Sequence, residues 1–318
     1  MAEKKVIVVV GATGAQGGGL VRAILADPAA GFAARALTRN VDSERARQLA
    51  SMGAEVTQAD LDDPESLRRA FEGAYGAFCI TNFWEHFSPE KELAQAEAMA
   101  KAAHETGLKH VIWSTLEDTR RWISLDDDRM PTLMGHYKVP HFDAKGEADD
   151  VFRKHAVPTT FLLTSFYWDN LIHLGMGPKK DPEGRVSFTL PMGGKKLPGI
   201  AAKDIGGCAF GIFKAGSQYI GKTLGIAGEH LTGQEMAQAL SKTLNREIHF
   251  NDVSPSVYRS FGFPGADDLG NMFQFKSEFS EVFVGNRNLE ESRRLNPQLQ
   301  TFAEWLKENA SRIQLDPE

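Results

Sequence analysis

The chain has 318 residues, of which 42% are apolar and 25% charged, with a formal charge of −6; this is the balance of a globular α/β protein with one large core and room for a smaller lobe. The acidic surplus excludes a protein that grips nucleic acid through bulk electrostatics, and no apolar run approaches the roughly 18 residues that would cross a membrane. Cys79 and Cys208, the two cysteines, lie far apart in apolar stretches, which excludes a disulfide framework or a zinc cluster and suits a reducing, cytoplasmic compartment.

From "MAEKK" the chain runs straight into a strand, with no apolar segment of the secretory-leader type. Short β-rich runs then alternate with helical periods. The predicted strands are Val6–Val10, Ala33–Thr38, Ala54–Ala59, Ala77–Thr81, His110–Thr115 and Thr159–Phe166; the helices are Gly17–Ala26, Ser43–Ser51, Asp63–Glu72, Pro89–Thr106 and Asp143–His155. "DDPESLRRAFEG" carries a capping aspartate, a proline in the first turn and a closing glycine. Alternation of this kind predicts a Rossmann-type, doubly wound parallel sheet with helices on both faces. Past Leu171 the rhythm changes to Gly- and Pro-rich loops with short strands. A helix opened by Asp204 follows, then one capped by Thr232 with Glu235, then an aromatic, helix-broken segment. We therefore expect a Rossmann domain over residues 1–170, to which later segments return, and a smaller α+β lobe over 171–318.

The first strand ends in Gly11-Ala12-Thr13-Gly14-Ala15-Gln16-Gly17. A glycine-rich turn between a strand and a helix lets the backbone approach a pyrophosphate, with the helix N–H groups and dipole facing it. The second strand ends in "LTRN", where an NAD site would carry an acid; Arg39 instead offers a guanidinium fork to a 2′-phosphate, beside Asn40. Arg45 and Arg47 read as a solvated helix face. Asp60 and Leu61, after the third strand, suit the adenine, and Thr81, Asn82 and Phe83, after the fourth, suit the sugars and phosphates. The expected cofactor is NADP(H). The nine histidines lack any metal-ligand spacing, so no metal is expected. "RRWISLDDDRMPTLMGHYKVP", residues 120–140, reads as a flexible flap over the cofactor.

Together "VVVGATGAQGG", "LTRN", "TNFWE", "HFDAKGE", "FYWDNL" and "GFPGADDLGNMFQF" resemble the NmrA-like branch of the atypical short-chain dehydrogenase/reductases, over residues 4–310. The resemblance implies Lys145 beside the nicotinamide ribose and Tyr167, Trp168, Asp169 and Asn170 along the nicotinamide. It also implies a redox-sensing role, in which NADPH occupancy alters a homodimer balance and the surface offered to protein partners. A working short-chain reductase pairs Tyr with Lys four residues on. Here that place holds His141 before Lys145, and Ser114 stands where the third catalytic group would be. Two functions follow: a redox sensor responding to the NADPH/NADP ratio without efficient catalysis, or an NADPH-dependent reductase of a small carbonyl, quinone or unsaturated compound that uses Lys145 or His141. On the first, His141 is a helix-start residue near the ligand and Lys145 only binds ribose.

Overall fold

The computed structural model describes residues 3–180 and 183–315. Asp181 and Pro182 of the Gly- and Pro-rich stretch, and the outer ends of the two expected domains at residues 1–2 and 316–318, lie outside the described residues.

Each predicted strand and helix of the first half forms, with end-points shifted by at most three residues. The strands are β1 (Lys5–Val9), β2 (Phe32–Thr38), β3 (Glu55–Gln58), β4 (Gly76–Cys79), β5 (His110–Thr115) and β6 (Thr159–Leu163). Between them lie α1 (Ala15–Ala26), α2 (Glu44–Ser51), α3 (Pro64–Phe71), α4 (Pro89–Glu105) and α5 (Pro140–Lys154). The second half adds β7 (Phe166–Tyr167), α6 (Asn170–His173), β8 (Lys179–Lys180), β9 (Val186–Thr189), β10 (Leu197–Ile200) and α7 (Ala202–Lys214). It continues with β11 (Thr223–Gly225), β12 (Glu229–Leu231), α8 (Gly233–Leu244), β13 (His249–Asn251), α9 (Pro255–Arg259) and α10 (Ala266–Glu278). The last helices are α11 (Ser280–Gly285), α12 (Leu289–Leu295) and α13 (Phe302–Asn309).

Seven parallel strands in the order β11-β6-β5-β4-β1-β2-β3 form the main sheet, so the winding reverses between β1 and β4. A crevice opens at the carboxyl ends of those two strands, where such sheets take ligands. Period-two alternation divides β1 between the two faces. Ile7 and Val9 pack with Leu20 and Ile24 of α1 and Phe213 of α7; Val8 and Val10 pack with Leu67, Met99 and Phe152 of α3, α4 and α5. Each such buried side chain contributes about 1.5–3 kcal/mol, and the two layers fix where β1 ends.

Two three-stranded sheets, β12-β10-β7 and β13-β9-β8, build the smaller lobe around Phe188, Met236, Leu240, Phe273 and Trp305. Its first strand, β7, precedes Leu171, while β11 returns to pair with β6 in the large sheet. Thr232 and Glu235 form the expected capping box on α8. Asp204 does not open α7; it lies in the first turn, behind Ala201, and its carboxylate accepts the Gln300 N–H at 2.9 Å.

The segment 120–140 departs from expectation. Ile123, Met130 and Val139 are buried in the lobe core, and the Lys138 ammonium donates to the carbonyls of Asp127 and Met130 at 2.8 and 2.6 Å. Asn271 and Gln274 of α10 hold its Pro131, Lys138 and Arg129 carbonyls. It is tied to α10 by these bonds and does not cover the crevice.

Candidate functional site

At the end of β1 the chain reverses through Gly11, whose φ of +62° suits glycine. A Cβ on Gly17 would sit 2.5 Å from the Gly11 carbonyl oxygen, so α1 can start this close to the strand only without one. No side chain caps α1 and no acid occupies its first turn. Its N-terminal amides therefore face the crevice with a favourable dipole for an anion. The crevice is the mouth of a cavity of about 860 Å³, lined by Gly11, Thr13, Gly14, Ala15, Gln16 and Gly17 at this end. Ala12 is an exception: it is buried in the core with Ile7 and Leu20 and does not reach the cavity.

Along the β2 and β3 edges the wall is Arg39, Asn40, Asp60 and Leu61. The Arg39 guanidinium pairs with Glu85 at 2.5 Å, and that hydrogen-bonded carboxylate holds its pKa above the usual arginine value. Lys91 pairs with Asp62 at 2.7 Å. Both pairs are exposed, where such contacts are weak and exchangeable. Arg45, expected on a solvated face, reaches back to the Thr13 carbonyl at 3.3 Å, which places a second guanidinium beside the loop.

Further in, Thr81, Asn82, Phe83, His141 and Lys145 come together from β4 and α5. The Lys145 ammonium donates to Thr81 Oγ1 and lies 2.6 Å from Glu92 Oε1, the carboxylate of a fully buried side chain on α4. Glu92 Oε2 makes no hydrogen bond among the described residues, although His86 Nε2 lies 3.4 Å away. His141 is locked by one carboxylate. Its backbone N–H donates to Asp268 Oδ2 at 3.1 Å and its Nδ1 to Asp268 Oδ1 at 2.6 Å. With Nδ1 held on that carboxylate, Nε2 is the ring nitrogen left for a ligand. Ser114 does not face a substrate; it donates to Gln16 Oε1 at 2.9 Å, and Gln16 in turn donates to the Tyr167 hydroxyl. Burial pushes the Tyr167 phenol up to about 12.

Tyr167 and Asn170 line the cavity, but Trp168 and Asp169 do not. Trp168, just past the end of β7, turns into the lobe core against Phe302 and Trp305, and the Asp169 carboxylate accepts the Ala202 N–H that starts α7. Beyond Lys145 the cavity runs on to Phe142, Phe166, Met272 and Lys276. Trp84, Leu174, Met176 and Leu269 also border a second cavity of about 760 Å³, whose outer wall carries the exposed Phe87, Phe261 and Phe263. An apolar entrance thus adjoins a polar phosphate groove. Asp268, Glu92 and Lys276 were missed in the sequence. Asp268 alone had a signal, standing inside the quoted "GFPGADDLGNMFQF". Among the described residues no group of His, Cys, Asp and Glu could hold a metal ion, and no helix is long and apolar enough to cross a membrane.

Residues 3–306 match the NmrA-like family. The NmrA-like family domain-containing oxidoreductase FrzB of Cladobotryum sp is 27% identical over 293 residues, which span 85% of this chain and 83% of that protein. The structure of NmrA, a negative transcriptional regulator in complex with NADP, superposes with a TM-score of 0.75 at 23% identity and covers 98% of each chain. Triphenylmethane reductase of Citrobacter sp, complexed with NADP(H), superposes at 0.73 with 22% identity, over 96% of this chain and 99% of that one.

Proposed function

Because the chain belongs to the NmrA-like family, we propose that it binds NADP(H) along the crevice and acts as an NADPH-dependent reductase of a small apolar carbonyl, quinone or unsaturated compound. The observation that carries this reading is the His141–Asp268 pair at the junction of the phosphate groove and the apolar chamber. A carboxylate buried to hold an imidazole in one tautomer is an acid–base arrangement.

The residues present fit the coenzyme. The Gly11–Gly17 loop and the uncapped α1 would hold the pyrophosphate, Arg39 the 2′-phosphate, Asp60 and Leu61 the adenine, and Lys145 the nicotinamide ribose. NADPH, when bound, would supply a hydride. The doubly protonated His141 ring would give from Nε2 the proton that the reduced substrate oxygen requires, while its Nδ1–H stays on Asp268. Lys145, already paired with Glu92, orients the ribose in this scheme. Tyr167 does not replace the missing tyrosine, since its phenol is held protonated and bound to Gln16.

NmrA has been solved with NADP and with NAD, so the fold alone does not choose between them; Arg39 favours the phosphorylated coenzyme. Calorimetric titration tests this. NADPH is expected to bind well above NADH, and Arg39→Ala to weaken NADPH roughly 10- to 100-fold while leaving NADH unchanged. Equal affinities in both proteins would remove the basis for NADP(H).

A second reading, a regulator reporting the NADPH/NADP ratio to a homodimer or partner protein, is favoured by the exposed Phe87, Phe261 and Phe263 beside the cavity mouth. It predicts NADPH-dependent change in oligomeric size with no turnover.

A further inference from the structure

Helix α10 presents Asp268, Leu269, Met272 and Lys276 on one face, at spacings of three and four residues. Asp268 meets His141, while Leu269, Met272 and Lys276 line the cavity. Lys276 is 3% exposed, and the only hydrogen bond found for its ammonium among the described residues goes to the Met272 sulfur at 3.2 Å. Four phenyl rings enclose it, with Phe283 at 5.1 Å, Phe142 at 5.3 Å, Phe273 at 5.6 Å and Phe166 at 6.0 Å. Phe142 and Phe166 are themselves cavity wall.

The neighbouring charges are already committed. Arg287 and Glu117, both buried, share two contacts at 2.6 and 3.1 Å. His141 is paired with Asp268 and Lys145 with Glu92. Burial first, and Arg287 second, lower the Lys276 pKa to about 7, against the opposing pull of Glu117. A buried cation without an anion is costly, and methionine would fill the same space among the rings without that cost. What a lysine adds at this wall is a charge that an anion in the cavity completes.

We propose that Lys276 anchors the carboxylate of an otherwise apolar ligand that occupies the chamber beyond Lys145. This rests on the reading of that chamber as the substrate site. A neutral oxygen would accept a hydrogen bond but leave the charge unbalanced, whereas a carboxylate does both and lays its apolar body along Phe142 and Phe166. Because the amine is only partly protonated near neutrality, carboxylate binding draws in a proton.

The test is calorimetry with cinnamate, phenylacetate, octanoate and the uncharged cinnamamide, on protein with and without NADP, in buffers of different ionisation enthalpy at about pH 8. At least one carboxylate is expected to bind with net proton uptake and cinnamamide to bind far more weakly. Lys276→Met, with Lys276→Gln as a second variant, is expected to weaken the carboxylate roughly 10- to 100-fold and to leave NADPH affinity unchanged. Failure of all three carboxylates to bind the parent protein, equal binding of cinnamamide and cinnamate, or undiminished carboxylate binding in both variants overturns the proposal. NADPH binding without any carboxylate binding sinks only the anchor; carboxylate binding without NADPH binding sinks only the reductase reading.

Discussion

The two ends of the cavity are built from opposite kinds of contact. At the phosphate end the chain offers backbone: a glycine turn, an uncapped helix start, and exposed ion pairs such as Arg39–Glu85 that can open for a ligand. At the inner end it offers buried side-chain charges held by partners far away in the sequence, His141 with Asp268 and Lys145 with Glu92; Arg287 and Glu117, outside the lining, are paired in the same way. The outer end is the one we propose for the coenzyme, and its cost in stability is small. The inner end carries whatever is particular to this protein, and there each charge is expensive unless it is paired. Lys276, whose ammonium is left among the described residues to a thioether and four rings, marks where the pairing is incomplete.

Three substitutions sharpen this contrast. Glu117→Ala strands the Arg287 guanidinium in the interior and is expected to destabilise the fold by about 3–5 kcal/mol, read by denaturant unfolding. A loss under about 1 kcal/mol, typical of surface pairs, would place that pair on the level of the outer end. Lys276→Met acts the other way. The folded pKa near 7 lies below the ordinary lysine value of 10.5, so between these values the unfolded chain holds a proton that the folded one gives up. Parent stability therefore rises with pH across that window, and the cost of the buried ammonium is fully present below about pH 7. The variant should gain on the order of a few kcal/mol at mildly acidic pH, with the gain fading as pH approaches that of free lysine. A gain independent of pH would mean packing, not charge. The smallest effect belongs to Glu85→Ala, expected to change stability by less than about 1 kcal/mol while tightening NADPH binding by releasing Arg39.

This contrast also governs what could be read in the sequence. The glycine loop, the strand–helix alternation and the "LTRN" turn are local, and the sheet assembles them as their spacing predicts. Ala12, Trp168 and Asp169 were drawn into the site by adjacency. Ala12 faces the core behind the loop, Trp168 packs on Phe302 in the lobe, and Asp169 holds the start of α7. The segment 120–140 looked loose because it is polar and irregular, yet its order comes from amide side chains on α10 that bind its carbonyls. Asp268 lies 127 positions from the histidine it holds. No spacing rule spans such a distance, because the pairing exists only once the lobe is packed. Glu92 and Lys276 share that fate: their burial is a product of the fold, and a charged residue in a helix reads as solvated until the neighbours are known.

The most direct test of the central claim, that the groove holds NADPH against an acid–base pair in an apolar chamber, is single-turnover oxidation of bound NADPH by a panel of aldehydes, naphthoquinones and enones. The account predicts transfer to at least one of them, slowed in His141→Gln, and a pH profile whose acidic group shifts in Asp268→Asn. NADPH that binds tightly but is oxidised by none of them, or at the same rate and pH profile in parent and both variants, would contradict it.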